Sequence, residues 1–101
     1  MRTRTDRLNR YYHAHLQSIH EQAVSAKFNV QDFDTFKQAM KGIDPLYPKE
    51  NDIPISTANL TNKELCDHIE FVLMTAGTVG ITSKITDAEW NRLLQQVRTE
   101  K

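Results

Sequence analysis

Apolar side chains recur at intervals of three and four along most of this chain, a spacing that places them on one face of an α-helix. The first run covers about residues 5–28 and predicts a long helix with a narrow, rather polar buried face. That predicted face consists of Leu8, Tyr12, His15, Ile19, Ala23 and Ala26. A shorter helix is expected after a cap at Asn29 or Asp32, with Gly42 at its end, where glycine accepts positive φ without strain. The residues it is expected to bury are Phe33, Phe36 and Met40.

Two later segments begin with the same helix-start signature, a capping box flanked by a pair of apolar residues. Thr61 with Glu64 forms the first box, and Thr86 with Glu89 forms the second. Each such cap contributes about 1 kcal/mol, so these two starts are better defined than helix propensity alone would make them.

The third predicted helix carries apolar residues on two sides. Its main buried face is expected to hold Leu65, Ile69, Val72, Leu73 and Ala76. Phe71 and Met74 project from roughly the opposite side, which indicates either a central helix or a contact with another chain.

The connection at about residues 43–58 contains all three prolines and has Tyr47 near its tip. Connections of this length without secondary structure are uncommon, and they are often mobile or functional. The shorter connection at 77–84 follows a stop at Gly77, and we predict a loop there, since a brief strand would have no evident partner.

We therefore predict an all-α fold, with about four helices in one small orthogonal or bundle-like domain. The predicted ranges are about 5–28, 61–76 and 86–99, with the short second helix and the 43–58 loop between them. A chain of 101 residues is long enough for one modest core and too short for two.

Charge is balanced over the whole chain, with 13 basic and 13 acidic residues. This removes the overall basic field that most small nucleic-acid binders carry. The first twenty residues, with four Arg and one Asp, form a local basic pole of +3.

The single cysteine, Cys66, allows no internal disulfide, which favours a cytoplasmic location. The longest purely apolar run has only four residues, 71–74, so we expect no membrane insertion.

The basic pole gives the strongest hint of nucleic-acid binding. Arg4, Arg7 and Arg10 offer guanidinium groups to phosphates, and Tyr11 offers a ring on which a base stacks. Arginine and tyrosine are equally enriched in protein interfaces, so the same helix also fits a protein partner.

No metal, cofactor or catalytic site is expected. His13 and His15 lie about 160° apart around a helix, while His13 and His20 are separated by about 10 Å along its axis. Cys66 and His68 have the same unfavourable spacing as His13 and His15. Cys66 precedes an acid, which does not favour a reactive thiolate, and no phosphate-binding glycine loop is present.

The leading hypothesis is a non-catalytic interaction protein: a small adaptor, inhibitor or regulatory subunit that docks on a larger protein or on copies of itself. Its candidate contact residues are Tyr11, Tyr47, Phe71 and Met74. The alternative is a nucleic-acid-binding regulator that uses Arg4, Arg7, Arg10 and Tyr11.

Overall fold

Four α-helices account for most of the chain, which confirms the all-α prediction. The computed structural model describes residues 4–28, 30, 32–86 and 88–99, except for the side chains of residues 4–6 and 58. The helices are α1 (Arg4–Ser25), α2 (Phe33–Ile43), α3 (Asn62–Gly77) and α4 (Ala88–Thr99). Two short strands, β1 (Lys49–Glu50) and β2 (Ile53–Pro54), and a 3₁₀ turn at Thr57–Asn59 lie between α2 and α3.

Helices α1 and α3 form the centre of the domain and run in the same direction. Tyr12 of α1 contacts His68 of α3, and Ile19, further along α1, lines a cavity with Ala76, further along α3. Helix α4 runs antiparallel to α3, since Trp90 near its start lines a cavity with Gly77 at the end of α3, and Arg98 near its end pairs with Glu70 in the middle of α3.

The buried face of α1 is wider than the predicted stripe. Leu8, Tyr12, His15, Ile19 and Ala23 are buried as expected, whereas Ala26 is exposed. Tyr11 and Leu16 are buried as well. The extra width arises because α1 contacts three other helices, so one apolar stripe cannot cover all of its contacts.

Helix α1 ends earlier than predicted, at Ser25, and its end is closed by a Schellman motif. The amides of Lys27 and Phe28 donate to the carbonyl oxygens of Val24 and Ala23, both at 3.0 Å. Lys27 adopts a φ of 63°, the left-handed conformation that this motif requires.

Helix α3 ends in a similar way, with Gly80 rather than Gly77 in the left-handed conformation, at a φ of 79°. The amide of Ile81 donates to the carbonyl of Ala76 at 3.0 Å. Phe28 and Ile81, which follow the two left-handed residues, both line one apolar cavity of about 240 Å³ between the ends of α1, α2 and α3.

The start of α2 is confirmed at Asp32, whose side chain accepts from the Thr35 amide at 3.2 Å. Met40 is buried and both phenylalanines of α2 are half-buried. Gly42 lies inside the helix, which continues to Ile43, so the prediction of Gly42 as the terminating residue was wrong.

The first capping box is confirmed in both directions. The Thr61 amide donates to Glu64 Oε1 at 2.9 Å, and the Glu64 amide donates to Thr61 Oγ1 at 3.1 Å. Helix α4 is described from Ala88 onward, so the cap at Thr86 stays a prediction. Asp87, which precedes α4, lies outside the described residues.

The 43–58 connection is not structureless. Strands β1 and β2 pair antiparallel, with Glu50 opposite Ile53, through a two-residue turn. Asn51 and Asp52 in that turn have φ values of 50° and 65°, as a type I′ hairpin turn requires. The described residues of the 77–84 connection contain no strand, as predicted.

Candidate functional site

A groove of about 590 Å³ runs between α3 and the turn that follows α2. We call it the α3 groove. Its lining residues are Asp44, Pro45, Leu46, Tyr47, Glu64, Asp67, His68, Glu70, Phe71 and Met74. Three of the four residues predicted to contact a partner, Tyr47, Phe71 and Met74, are therefore brought together in one place.

The walls of the α3 groove carry large apolar side chains that are open to solvent. Leu46 is 83% exposed and Met74 is 64% exposed. Phe71 is half-buried, and its ring stacks on that of His68 with centroids 6.4 Å apart. Exposed leucine and methionine side chains that share one groove with a phenylalanine are typical of a surface that another molecule covers.

A buried hydrogen-bonded chain lies beneath the groove and joins three elements. His68 Nδ1 lies 2.7 Å from Asp44 Oδ2, and His68 Nε2 lies 3.3 Å from the hydroxyl of Tyr12. A carboxylate only accepts hydrogen bonds, so Nδ1 carries the proton and Nε2 accepts from Tyr12. The chain fastens the end of α2 to α3 and α1.

Protonation of this chain is set by burial. Burial lowers the pKa of His68, against the opposing effect of Asp44, and this favours the neutral ring. Burial also raises the pKa of Tyr12, which keeps its hydroxyl protonated as a donor. Both ring nitrogens of His68 are engaged, so this ring has no nitrogen left for a substrate or a metal ion.

The Asp44 side chain also fixes the exposed part of the groove. Its Oδ1 accepts from the Leu46 amide at 3.0 Å, which closes a tight turn two residues long. Its backbone carbonyl accepts from Lys49 Nζ at 3.1 Å. Leu46 is therefore an exposed side chain on a backbone that the buried chain holds in place.

Tyr47 is predicted near the tip of the loop, but in the structure it is buried and only 4% exposed. Its hydroxyl donates to the Ile55 carbonyl at 2.7 Å, and its ring contacts that of His68 with centroids 4.7 Å apart. Burial raises the pKa of Tyr47 to about 12, so the hydroxyl remains a donor. Tyr47 supports the groove from below.

Four acidic residues line the α3 groove, and none of the lining residues that the structure describes is Lys or Arg. Asp44 is buried against His68, Glu64 closes the capping box, and Glu70 pairs with Arg98 of α4. Asp67 is exposed and makes no hydrogen bond or ion pair within the described part of the chain. The open rim of the groove is therefore acidic.

Of the N-terminal residues expected to contact nucleic acid, Tyr11 is buried. Tyr11 is 4% exposed and packs on Trp90 with ring centroids 5.5 Å apart, so its ring is not available for stacking on a base. The guanidinium nitrogens of Arg7 and Arg10 lie 3.9 and 3.6 Å, respectively, from Glu89 Oε1. The side chain of Arg4 lies outside the described residues.

Cys66 lies in the core and is 2% exposed. Burial raises the pKa of its thiol to about 11, which disfavours the reactive thiolate. Within the described ranges, no group of three or more His, Cys, Asp or Glu side chains is placed to hold a metal ion. No described helix has both the length and the apolar content needed to cross a bilayer.

Four residues of this site are not predicted from the sequence: Asp44, Leu46, Asp67 and His68. The sequence shows His68 only as a neighbour of Cys66, since its contacts in the structure come from positions 24 and 56 residues away. The Asp-Pro pair at 44–45 is a local turn signal, but it does not indicate which side chain Asp44 binds.

Comparisons of the chain with protein-family models, with curated proteins and with solved structures gave no match. Any proposal for its function therefore rests on the geometry of the α3 groove.

Proposed function

We propose that this protein is a non-catalytic interaction module that binds a segment of another protein in the α3 groove. The observation that carries the proposal is the placement of exposed Leu46 and Met74 beside Phe71 in one groove with an acidic rim. An adaptor, inhibitor or regulatory subunit acts through such a surface.

The rigidity of the groove supports this proposal. Exposed apolar side chains on a mobile loop lose conformational entropy when they bind, and preorganisation reduces that cost. Here the Asp44–His68–Tyr12 chain fixes the turn that carries Leu46, while α3 carries Phe71 and Met74.

The state of the titratable side chains supports a non-catalytic role. Both nitrogens of His68 are occupied, and the thiol of Cys66 is buried and protonated. The reduced, unpaired Cys66 also supports the cytoplasmic setting that belongs to this proposal.

Polar substitutions in the groove test the proposal. Tagged wild-type protein, Leu46→Gln and Met74→Gln are used to capture proteins from native cytosol, and Ile53→Gln serves as the control. Ile53 is 68% exposed and lies on the hairpin, outside the groove lining. We expect a stoichiometric partner that wild type and the control retain and that both groove variants lose.

Three results would contradict the proposal. Equal capture by all four proteins would show that the groove is not the contact surface. A dimer of the wild type in sedimentation, converted to a monomer by Met74→Gln, would show that a second copy fills the groove. Loss of every captured protein after nuclease treatment would favour the alternative of nucleic-acid binding through Arg7 and Arg10.

A further inference from the structure

The acidic residues of the α3 groove follow a regular order along α3. Glu64, Asp67 and Glu70 are spaced by three residues, so they form a row on the helix surface. Phe71 and Met74 have the same spacing and line the same groove. The groove therefore presents an acidic row together with an apolar row.

These two rows constrain the segment that can bind in the α3 groove. We propose that the partner segment is an amphipathic helix whose apolar face is bordered by Lys or Arg residues. The apolar face covers Leu46, Phe71 and Met74, and the basic border lies along Asp67 and its neighbours. This inference rests on the proposed function, and it specifies the chemistry of the partner.

The dimensions of the groove suit a helix. Successive acids of the row are three residues apart, which is about 4.5 Å along the axis of α3. This spacing is close to the pitch of a partner helix, about 5.4 Å. Basic residues one turn apart on the partner can therefore face successive acids of the row. The groove from Glu64 to Met74 spans about 15 Å of α3, which is nearly three turns of a bound helix.

The charge distribution makes this attraction local. The chain has a formal net charge of zero, and its N-terminal twenty residues are basic. A basic segment therefore gains no general attraction to the molecule and is repelled by its N-terminal pole. Attraction at the groove comes from the acidic row, and chiefly from exposed Asp67, because Glu64 and Glu70 already have partners.

The test uses synthetic peptide helices of about 14 residues. One peptide carries leucines on one face with a lysine border. The second has glutamate at every lysine position, and the third is a scrambled lysine peptide of the same composition. Binding is measured by fluorescence anisotropy for wild type, Asp67→Lys, Leu46→Gln and the control Glu21→Lys. Glu21 is exposed on α1 and lies outside the groove lining. Glu21→Lys changes the net charge by the same amount as Asp67→Lys.

We expect the wild type to bind the ordered lysine peptide more tightly than the other two. Asp67→Lys should weaken that binding about five- to tenfold and improve binding of the glutamate peptide, whereas Glu21→Lys should change either affinity less than about twofold. Rising salt should reduce the preference for lysine, since both charges are exposed.

Three results overturn the inference, and they have different meanings. If Leu46→Gln abolishes peptide binding while Asp67→Lys and salt leave the peptide preference unchanged, the groove binds proteins but does not select a basic border. If neither substitution affects binding, both this inference and the proposed function fail. Equal binding of the scrambled peptide would likewise overturn the inference, because no amphipathic helix would be needed.

Discussion

Replacing Asp44 with alanine tests the buried chain that holds the α3 groove in shape. Asp44→Ala removes the acceptor of the His68 Nδ1 proton, at 2.7 Å, and of the Leu46 amide, at 3.0 Å. Leaving the buried Nδ1–H donor of His68 without a partner lowers the free energy of unfolding by about 1–3 kcal/mol. Loss of the partner of the Leu46 amide lowers it by less, because that amide is only partly buried and water reaches it. We therefore expect Asp44→Ala to lower the free energy of unfolding by about 2–4 kcal/mol, which is a fall in Tm of roughly 10–20 °C for a domain of this size.

Urea denaturation followed by circular dichroism and by fluorescence gives this free energy directly. The protein has one tryptophan, Trp90, which is buried between Tyr11 and His15 and so reports the packing of α1 against α4. Asp44→Asn keeps one acceptor oxygen, so its stability should lie between wild type and Asp44→Ala. Asp67→Ala, at an exposed position, is the matched control and should stay within about 0.5 kcal/mol of wild type. If Asp44→Ala also stays within that margin, the buried chain does not stabilise the fold.

Three further predictions concern stability. Thr61→Ala should cost about 1 kcal/mol by removing the cap of α3, measured as a lower urea midpoint; an unchanged midpoint would show that the capping box is not stabilising. Gly80→Ala should destabilise the protein by about 1–2 kcal/mol, because Gly80 has a left-handed φ. The matched change Gly42→Ala, inside α2 with open space around it, should stabilise the protein by about 0.5–1 kcal/mol. Equal effects of the two substitutions on the urea midpoint would refute the backbone argument. Burial lowers the pKa of His68 below its usual 6.5 in the folded protein, so the unfolded chain takes up a proton on this histidine at a higher pH than the folded chain does. Stability should therefore be greatest above about pH 6.5 and should fall as the pH drops below it. Urea midpoints at pH 7.5 and 5.5 check this, and a His68→Asn variant with the same pH dependence as wild type would contradict it.

The helices were predictable from the sequence because their signals are local. The Thr61–Glu64 box and the cap at Asp32 lie within four residues of the backbone groups that they satisfy. The errors came where a second element decides the outcome. The sequence predicts Tyr11 on an exposed polar helix face, but it is buried because α4 places Trp90 against it.

The site was only partly predictable for the same reason. Phe71 and Met74 were identified because two apolar residues on the wrong side of a helix are visible in its periodicity. The buried chain beneath the groove was not predicted, since Asp44, His68 and Tyr12 come from three separate elements. The hairpin was missed because Asn51 and Asp52, rather than glycine, supply its left-handed turn.

The shared direction of α1 and α3 has a consequence for how the chain folds. Helices adjacent in sequence usually pack antiparallel through short connections, but these two meet only after α2 and the hairpin have returned the chain to the starting end. The contact between Tyr12 and His68 closes a loop of 56 residues, at an entropic cost of about 3.5 kcal/mol. This raises the contact order of an otherwise local, helical domain. The rate-limiting step in folding is therefore expected to be the meeting of α1 with α3, rather than the formation of any one helix.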